Sequence, residues 1–198
     1  MNAPVDLSKI TFETERLLLR APQEQDLEDF FCYASIPGVG EMAGWNHHRD
    51  RNESAKILAM MIKEKKTLSL ILKAENRMIG TIGLEMHKDE LGSKFEPLRG
   101  REIGYAMSKT YWGQGLMPEA VTRVIQHCFG SLKWDYLVCN YRGNNPQSAR
   151  VAEKCGFKVY KDTILQDRNG MDHPGILTVL LNPERVKADL SEFLNSDK

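Results

Sequence analysis

The sequence predicts a mixed α/β fold in which one sheet carries helices on both faces. Seven segments have the length and the apolar pattern of strands, and others show apolar residues at helical spacing. In the second half strands and helices alternate, and a strand, helix, strand crossover places its two strands side by side in parallel. Short polar turns between strands indicate antiparallel hairpins elsewhere. The sheet is therefore expected to be mixed.

The first half opens with a strand and a helix. "ERLLLRAP" predicts a strand ended by Pro22, and "EQDLEDFFCYAS" has apolar residues at helical spacing. Asn52 is expected to cap a second helix. "TLSLILKA" and "MIGTIGLEMH" flank the polar "ENR", which predicts a hairpin.

The second half contributes the alternating elements and a closing hairpin. We expect strands at 102–108 and 134–140 and helices at 118–129 and 146–155. "FKVYKDTIL" and "GILTVLL" predict the hairpin. A short C-terminal helix is expected from about 183, with Asn182 as its cap.

Length and composition limit the class of protein. A chain of 198 residues suits a single domain, here 1–198, and 27 basic against 27 acidic residues leave no formal net charge. No polybasic face indicates nucleic acid or an anionic membrane as a partner. The N-terminus lacks the pattern of a secretory signal, and no apolar run approaches the ~18 residues of a membrane span. We expect a cytoplasmic protein.

The four cysteines are expected to be buried, reduced thiols. Each stands alone in an apolar stretch without CxxC spacing, which disfavours zinc sites and disulfides. Cys155 in particular has no identifiable histidine partner and is interpreted as a buried small residue rather than a nucleophile.

The stretch "KTYWGQGLMPEA" contains the clearest candidate for a binding site. Gly113 and Gly115 directly precede a predicted helix, whose first amides lack intrahelical partners and whose start is partly positive. Glycines there let a phosphate approach those amides. The stretch lacks the Lys and Ser/Thr of a P-loop and the third glycine of a dinucleotide fingerprint, which disfavours nucleoside triphosphates and NAD. Alternatively, the glycines only supply positive φ in a tight turn.

Several motifs in order resemble the GNAT acetyltransferase superfamily, and within it the branch of ribosomal-protein N-terminal acetyltransferases. They are "TERLLLR", "GTIGL", "REIGYAMSKTYWGQGLMPEA" and, about thirty residues later, "NNPQSARVAEKCGF". The resemblance covers most of the chain. It implies a GNAT-like fold with a central, mostly antiparallel seven-stranded sheet, and acetyl-CoA as co-substrate without a metal.

The resemblance also implies which residues bind coenzyme A. Both glycines match the family's pyrophosphate turn, whereas Thr110 departs from its first position, which puts one hydrogen bond in doubt. Asn145 and Ser148 fall on positions that contact the pantetheine region, although Asn145 is equally suited to cap a helix. The implied cofactor-binding residues are Ala106, Met107, Ser108, Trp112, Gly113, Gln114, Gly115, Leu116, Met117, Asn145 and Ser148.

In the family, the strand before the turn carries a bulge and splays from the next strand, which opens a V-shaped cleft for the thioester. By strand alternation alone, successive side chains of this strand point to opposite faces of the sheet. A bulge would break the alternation locally. One face is expected to hold Glu102, Gly104, Ala106 and Ser108, and the other Ile103, Tyr105 and Met107.

Acetyl transfer to an amine needs a base and an acid. A carboxylate is a suitable base, and Glu102 lies on the strand where related enzymes carry one; alternatively it pairs with Arg99 or Arg101. The family's usual general acid is a Tyr at the position occupied here by Ala152, so that role is not carried over. Tyr105, Ser108 and Tyr141 are the remaining candidates.

The loop containing "AGWNHHRD" is expected to form part of the acceptor side. Trp45 could wall the site, and Glu41, His47 or His48 could bind or deprotonate an amine. Two adjacent histidines in a loop without a third ligand do not indicate a metal site. A solvated loop is the alternative.

The predicted function is transfer of acetyl from acetyl-CoA to a primary amine by direct attack in a ternary complex, and the favoured acceptor is a protein N-terminal α-amine. The alternatives are acetylation of a small amine, such as a polyamine, an amino acid or an antibiotic, and coenzyme A binding without turnover. The expected partners are acetyl-CoA and the acceptor. Sequence leaves open whether the protein is a monomer or a homodimer.

Overall fold

The computed structural model describes residues 1–87, 91–187 and 192–193. These residues form one eight-stranded sheet with α-helices on both faces. The strands are β1 (Thr11–Glu13), β2 (Leu17–Arg20), β3 (Thr67–Leu72), β4 (Arg77–Glu85), β5 (Gly100–Met107), β6 (Tyr136–Arg142), β7 (Lys158–Gln166) and β8 (Asp172–Leu181). The helices are α1 (Leu27–Ala34), α2 (Arg51–Glu64), α3 (Leu116–Gln126) and α4 (Pro146–Lys154).

The sheet is mixed, with the order β1-β2-β3-β4-β5-β6-β8-β7. Every neighbouring pair is antiparallel except β5 and β6, which are joined through α3 and run parallel. Both predicted hairpins, β3–β4 and β7–β8, are present. The predicted fold class is confirmed with one additional strand, because β1 has three residues and is too short to give a sequence pattern.

The two faces of the sheet carry different helices. On one face, the apolar stripe of α3 packs with β1–β5 and with Ala152 of α4 in the larger core. On the other face, Phe30 and Tyr33 of α1 and Leu58 of α2 form a second core. β5 contributes Ile103 to the first core and Ala106 to the second, as the alternation of its side chains predicts.

Two predicted helix starts are wrong. Asp50, not Asn52, caps α2, because Asp50 has extended backbone and its carboxylate accepts from the Glu53 amide at 2.8 Å. α3 begins at Leu116, so Pro118 is its third residue. A missing N–H costs nothing there because the first amides of a helix have no intrahelical acceptor. The helix ends at Gln126 and continues as a wide π turn over His127–Ser131.

The segment after β8 begins as a turn over 183–185, where the Asn182 side-chain oxygen accepts from the Glu184 amide at 3.1 Å. Most of the predicted C-terminal helix lies outside the described residues. All four cysteines are free thiols; Cys128 and Cys139 are buried, but Cys32 is exposed on the outer side of α1, contrary to prediction. None of the described helices combines the length and apolar character needed to cross a membrane.

Candidate active site

A fork between β5 and β6 organises the site. The two strands pair only from Gly100–Glu102 with Tyr136–Val138, and then separate. Beyond this point β5 continues to pair with β4, and β6 with β8. The separation agrees with the expected V-shaped cleft. The β4–β5 register is unbroken from Glu85 opposite Glu102 to Gly80 opposite Met107, so the expected bulge is absent from this pairing.

A cavity of about 820 Å³ passes through the fork. Glu102, at the last paired position of the fork, and 140–142 are among its lining residues. One end, which we name the glycine-turn end, is lined by Trp112, Gly113, Gly115, Leu116, Met117, Asn145 and Ser148. The other, which we name the loop end, is lined by Val39, Met42, Ala43, Gly44, Gln166, Asp167 and Arg168.

The glycine turn has the conformation that only glycine adopts without strain. Gly113 and Gly115 have φ of 80° and 77°. A Cβ added to Gly113 would meet nothing within 4 Å, so space around the turn is open. The Glu119 amide bonds back to the Gly115 carbonyl at 3.2 Å, and the amides before it have no acceptor within the helix. Positive φ and an anion-binding helix start therefore occur together.

Side chains on the strand side hold this turn in place. Trp112 Nε1 donates to the Met107 carbonyl at 2.8 Å. The Gln114 side chain turns back and donates to the Thr110 carbonyl at 3.2 Å. Thr110 thus supports the turn through its main-chain carbonyl. This contact does not depend on which side chain occupies the position.

Arg16 and Glu119 form an ion pair at the turn that sequence reasoning did not single out. Arg16 Nε and Nη2 donate to Glu119 Oε2 at 2.7 and 2.6 Å, and Arg16 Nη1 donates to the Gln114 carbonyl at 2.8 Å. The Thr14 hydroxyl and the Arg16 amide donate to Glu119 Oε1. Burial opposes ionisation of Glu119, but these hydrogen bonds outweigh it and lower its pKa. The only sequence signal was the "TERLLLR" motif itself.

Tyr105 crosses the fork toward α4. Its hydroxyl lies 2.9 Å from Ser148 Oγ and 3.7 Å from Cys139 Sγ. Burial, with Cys139 beside it, raises the pKa of Tyr105. The phenol therefore stays protonated at neutral pH and can serve as a hydrogen-bond donor.

Asn145 connects the two ends of the cavity. Its side-chain oxygen accepts from the Ser148 amide at 3.0 Å, which confirms the predicted helix cap. Its side-chain nitrogen donates to the Met42 carbonyl at 3.3 Å. On the same helix Ala152 is 2% exposed and packs in the core, so the position of the family's usual Tyr contributes no acid here.

The predicted acceptor residues hold the loop from within. Glu41 lies 2.7 Å from His47 Nδ1 and accepts from the Gly38 amide at 2.6 Å. Although burial favours the neutral form, these contacts lower the pKa of Glu41 to about 2. Trp45 packs on Gly40, where an added Cβ would lie 2.3 Å from the indole ring.

His48 is also part of this scaffold. It is 5% exposed, and its Nδ1 lies 2.7 Å from the hydroxyl of Ser54 in α2. Burial lowers the pKa of His48, which favours the neutral ring. The two adjacent histidines therefore point to different partners and share no ligand.

The tip of the β7–β8 hairpin completes the loop end. The Arg168 amide donates to the Gly44 carbonyl at 3.1 Å, and the Asn46 and Asn169 side-chain amides bond reciprocally, each at 3.2 Å. Asp167 lies 3.0 Å from His173 Nε2 and 3.6 Å from an Arg142 nitrogen. In the sequence, "DRNG" indicated only a turn.

Of the predicted catalytic residues, Glu102 and Tyr105 line the cavity, whereas Ser108 is not among the described lining residues. Ser108 is 7% exposed, and its amide pairs with the Ile79 carbonyl of β4. The predicted cofactor residues in the lining are Ala106, Met107, Trp112, Gly113, Gly115, Leu116, Met117, Asn145 and Ser148. Predicted residues outside the described lining, besides Ser108, are Gln114, Glu41, Trp45, His47 and His48.

Comparisons with known proteins find acetyltransferases that resemble this chain in sequence and in fold. An uncharacterized N-acetyltransferase of Bacillus licheniformis, p20, is 27% identical over 162 residues, which is 79% of this chain and 86% of that protein. The ribosomal-protein-serine acetyltransferase of Escherichia coli K12 is 33% identical over 84 residues, 42% of each chain. The solved structure of a ribosomal-protein-S5-alanine acetyltransferase from Vibrio fischeri shares the fold, with a TM-score of 0.69 and 21% identity over 90% of this chain and all (100%) of that one.

A family model decides the assignment. The model described as an acetyltransferase (GNAT) domain matches residues 16–158, which include the fork, the glycine turn and α4. Enzymes of this family take their acetyl group from acetyl-CoA. The chain belongs to the GNAT acetyltransferase family.

Proposed function

We propose that this protein transfers an acetyl group from acetyl-CoA to the α-amine of a protein N-terminus, by direct attack in a ternary complex. The observation that carries the proposal is the single cavity through the β5–β6 fork, which connects the glycine-turn end to the loop end. The two substrates are proposed to meet in this cavity beside Glu102. The named activity of the E. coli relative supports the acceptor class.

The glycine-turn end is proposed to hold coenzyme A. Amides at the start of α3, including those of Leu116 and Met117, bind the pyrophosphate where the open space at Gly113 admits it. The pantetheine arm resembles a peptide, and it lies in the fork, where the facing edges of β5 and β6 are no longer paired with each other. Their main-chain groups are available to it.

Glu102 is proposed as the base. It lies at the last paired position of the fork and lines the cavity, so it can take a proton from the acceptor amine directly or through water. The neutral nitrogen forms the new C–N bond as the C–S bond breaks, and the excess proton that this nitrogen then carries passes to solvent. Main-chain amides of β5 that face the thioester stabilise the developing oxyanion.

Tyr105 is proposed as the acid that returns a proton to the leaving thiolate. Its hydroxyl is held by Ser148, and its raised pKa keeps it protonated until that step. Ser148 and solvent then restore the proton to the phenol. Of the three acids considered from sequence, Tyr105 and Tyr141 line the cavity, and Tyr105 has the firmer hydrogen-bond support.

A small amine is the second candidate acceptor, favoured by one observation. The Arg168–Gly44 and Asn46–Asn169 hydrogen bonds bridge the loop end, and a bridged opening suits a slender acceptor. A polyamine, an amino acid or an antibiotic amine fits that description.

A matched acceptor panel tests the proposal. Short peptides beginning with serine or alanine are compared with the same peptides carrying a blocked N-terminus and an internal lysine, and with polyamines, amino acids and aminoglycosides; release of the coenzyme A thiol is measured. We expect turnover only with the free N-terminal peptides. Turnover confined to the small amines would replace the acceptor class. Acetyl-CoA binding without turnover on any acceptor would favour a binding protein.

A further inference from the structure

Arg16 places a cation against the glycine turn from a distant part of the chain. Arg16 directly precedes β2, and its guanidinium contacts the Gln114 carbonyl and the Glu119 carboxylate. A Cβ added to Gly115 would lie 3.6 Å from Arg16 Nη2. The guanidinium therefore borders the same turn that is proposed to receive the pyrophosphate.

Glu119 creates an electrostatic conflict at this site. It lies in the first turn of α3, where the helix dipole favours a negative charge. A pyrophosphate at the same helix start would meet that carboxylate as a like charge. An uncompensated Glu119 would thus stabilise the helix and weaken the binding of an anionic ligand.

The contacts of Glu119 resolve this conflict. Arg16 binds one carboxylate oxygen through two side-chain nitrogens and the other through its main-chain amide, and Thr14 donates to that second oxygen. The carboxylate is thereby neutralised and turned toward β2. The remaining Arg16 nitrogen fixes the Gln114 carbonyl, the main-chain acceptor of the turn, at 2.8 Å.

We infer that Arg16 is a positioning residue for the pyrophosphate of acetyl-CoA: it cancels the charge of Glu119 beside the glycine turn and holds the Gln114 carbonyl, so that the turn presents amides to the anion. The inference rests on the proposed function, since it requires coenzyme A at this turn. It assigns a binding role to the link between the start of β2 and α3, which would otherwise be only structural.

A charge-cancelling pair of variants tests the inference by calorimetric titration of acetyl-CoA. Arg16→Gln leaves Glu119 uncompensated and is expected to weaken binding about tenfold, within the upper range for a partly buried charge at a helix start. Arg16→Gln combined with Glu119→Gln removes both charges and is expected to recover affinity to within about threefold of the wild type. If the Arg16–Glu119 pair were merely structural, the double variant would not regain acetyl-CoA affinity, because the second substitution removes the remaining partner of the pair.

The matched control is Arg51→Gln, which breaks the exposed Arg51–Glu28 pair at 2.8 Å between α2 and α1, away from the cavity. It is expected to leave acetyl-CoA affinity unchanged. Undiminished affinity in Arg16→Gln, or a double variant as weak as the single, would overturn the inference while the proposed function stands. Wild-type protein that binds no acetyl-CoA would overturn both.

Glu119→Gln alone keeps the inference testable if Arg16→Gln does not fold. This variant keeps one oxygen that can accept from the Thr14 hydroxyl and the Arg16 main-chain amide, but it loses the negative charge and the acceptor of the Arg16 guanidinium. With Arg16 still cationic and no longer paired with a carboxylate, acetyl-CoA should bind several-fold more tightly than to the wild type. Unchanged or weaker binding in a folded Glu119→Gln protein would refute the charge-cancelling role.

Discussion

The two ends of the cavity are built in different ways. The glycine-turn end comes mainly from one continuous segment, 112–117, completed by Asn145 and Ser148 of α4. The loop end is assembled from Val39, 42–44 and 166–168, and these two groups lie more than a hundred residues apart in sequence. The first end is therefore visible as a motif, whereas the second exists only once the chain has folded.

The ends also differ in the chemical groups that they present. The glycine-turn end offers main-chain amides at a helix start, which suit a phosphate of any compound that fits. The loop end carries the charged side chains of Asp167 and Arg168, and Arg142, which also lines the cavity, lies 3.6 Å from Asp167. Under the proposed function, main-chain groups would bind the co-substrate that the whole family shares, and the side chains of the loops would select the acceptor.

The largest effect is expected at the glycine-turn end from Gly115→Trp. A large side chain at φ of 77° beside Arg16 would fill the space proposed for the pyrophosphate. Calorimetry should detect no acetyl-CoA binding, a loss of at least about 100-fold if the cradle contributes like other charge-assisted contacts. Gly170→Trp, also at positive φ but on the exposed hairpin tip, is the control. Retained affinity in Gly115→Trp would remove the cradle from the proposal.

The next effect is expected between the two ends, from Glu102→Gln. Loss of the base should lower kcat about 100-fold at neutral pH and leave acetyl-CoA affinity unchanged. The deficit should shrink above about pH 9, where an α-amine is neutral without help. Steady-state assays of thiol release against pH measure both.

Glu85→Gln is the matched control for Glu102→Gln. Glu85 lies directly opposite Glu102 on β4, pairs with Lys66 at 2.6 Å, and is not among the described lining residues. Its substitution should leave kcat within about twofold. Equal turnover by Glu102→Gln and the wild type would show that another group, or solvent, accepts the proton.

A smaller effect is expected from Asn145→Asp, which tests whether the two ends are coupled. The carboxylate keeps the acceptor for the Ser148 amide but loses the donor to the Met42 carbonyl. We expect KM for the acceptor to rise about threefold to tenfold, since one hydrogen bond is lost, while acetyl-CoA affinity stays the same. Asn145→Ala, which also removes the helix cap, should lose about 1 kcal/mol of stability as well. A change confined to acetyl-CoA affinity would contradict the coupling.

The smallest effect is expected in the scaffold of the loop end, from His48. Burial lowers its pKa below the ordinary value of 6.5, so the unfolded chain takes up a proton that the native protein does not. The stability contribution of the neutral ring is complete above pH 6.5 and is lost as the pH falls through the lowered pKa. Thermal unfolding should therefore show a larger decrease in Tm from pH 7.5 to 5.5 for the wild type than for His48→Gln.

Burial also lowers the pKa of His127. Because His127 is present in both proteins, its contribution to the pH dependence of Tm cancels in this comparison. Acetyl-CoA affinity should be the same in both, because His48 is not among the described lining residues. Equal pH dependence of Tm in the two proteins would show that the His48 ring is not held neutral.

Prediction succeeded where periodicity is local, whereas the sequence left the role of a side chain open where that side chain had a choice of partner. The apolar stripe of α3 and the Asn145 cap depend on neighbours a few residues away, and both are present. The loop sequence contains Glu41, Trp45 and two histidines, all plausible site residues, but in the fold they bind one another, Gly40 and α2. Nothing in sequence spacing distinguishes a polar residue that faces a cavity from one that supports a loop.

The sequence by itself determined the mixed sheet, both hairpins, the crossover through α3 and the glycine turn, because each follows from periodicity or from the conformational needs of glycine and proline. Only the tertiary structure decided that β5 and β6 part after Glu102, that Arg16 neutralises Glu119, and that the hairpin tip bridges to Gly44. These features join groups that are distant along the chain. Their energies depend on distance in space, which the order of residues does not specify.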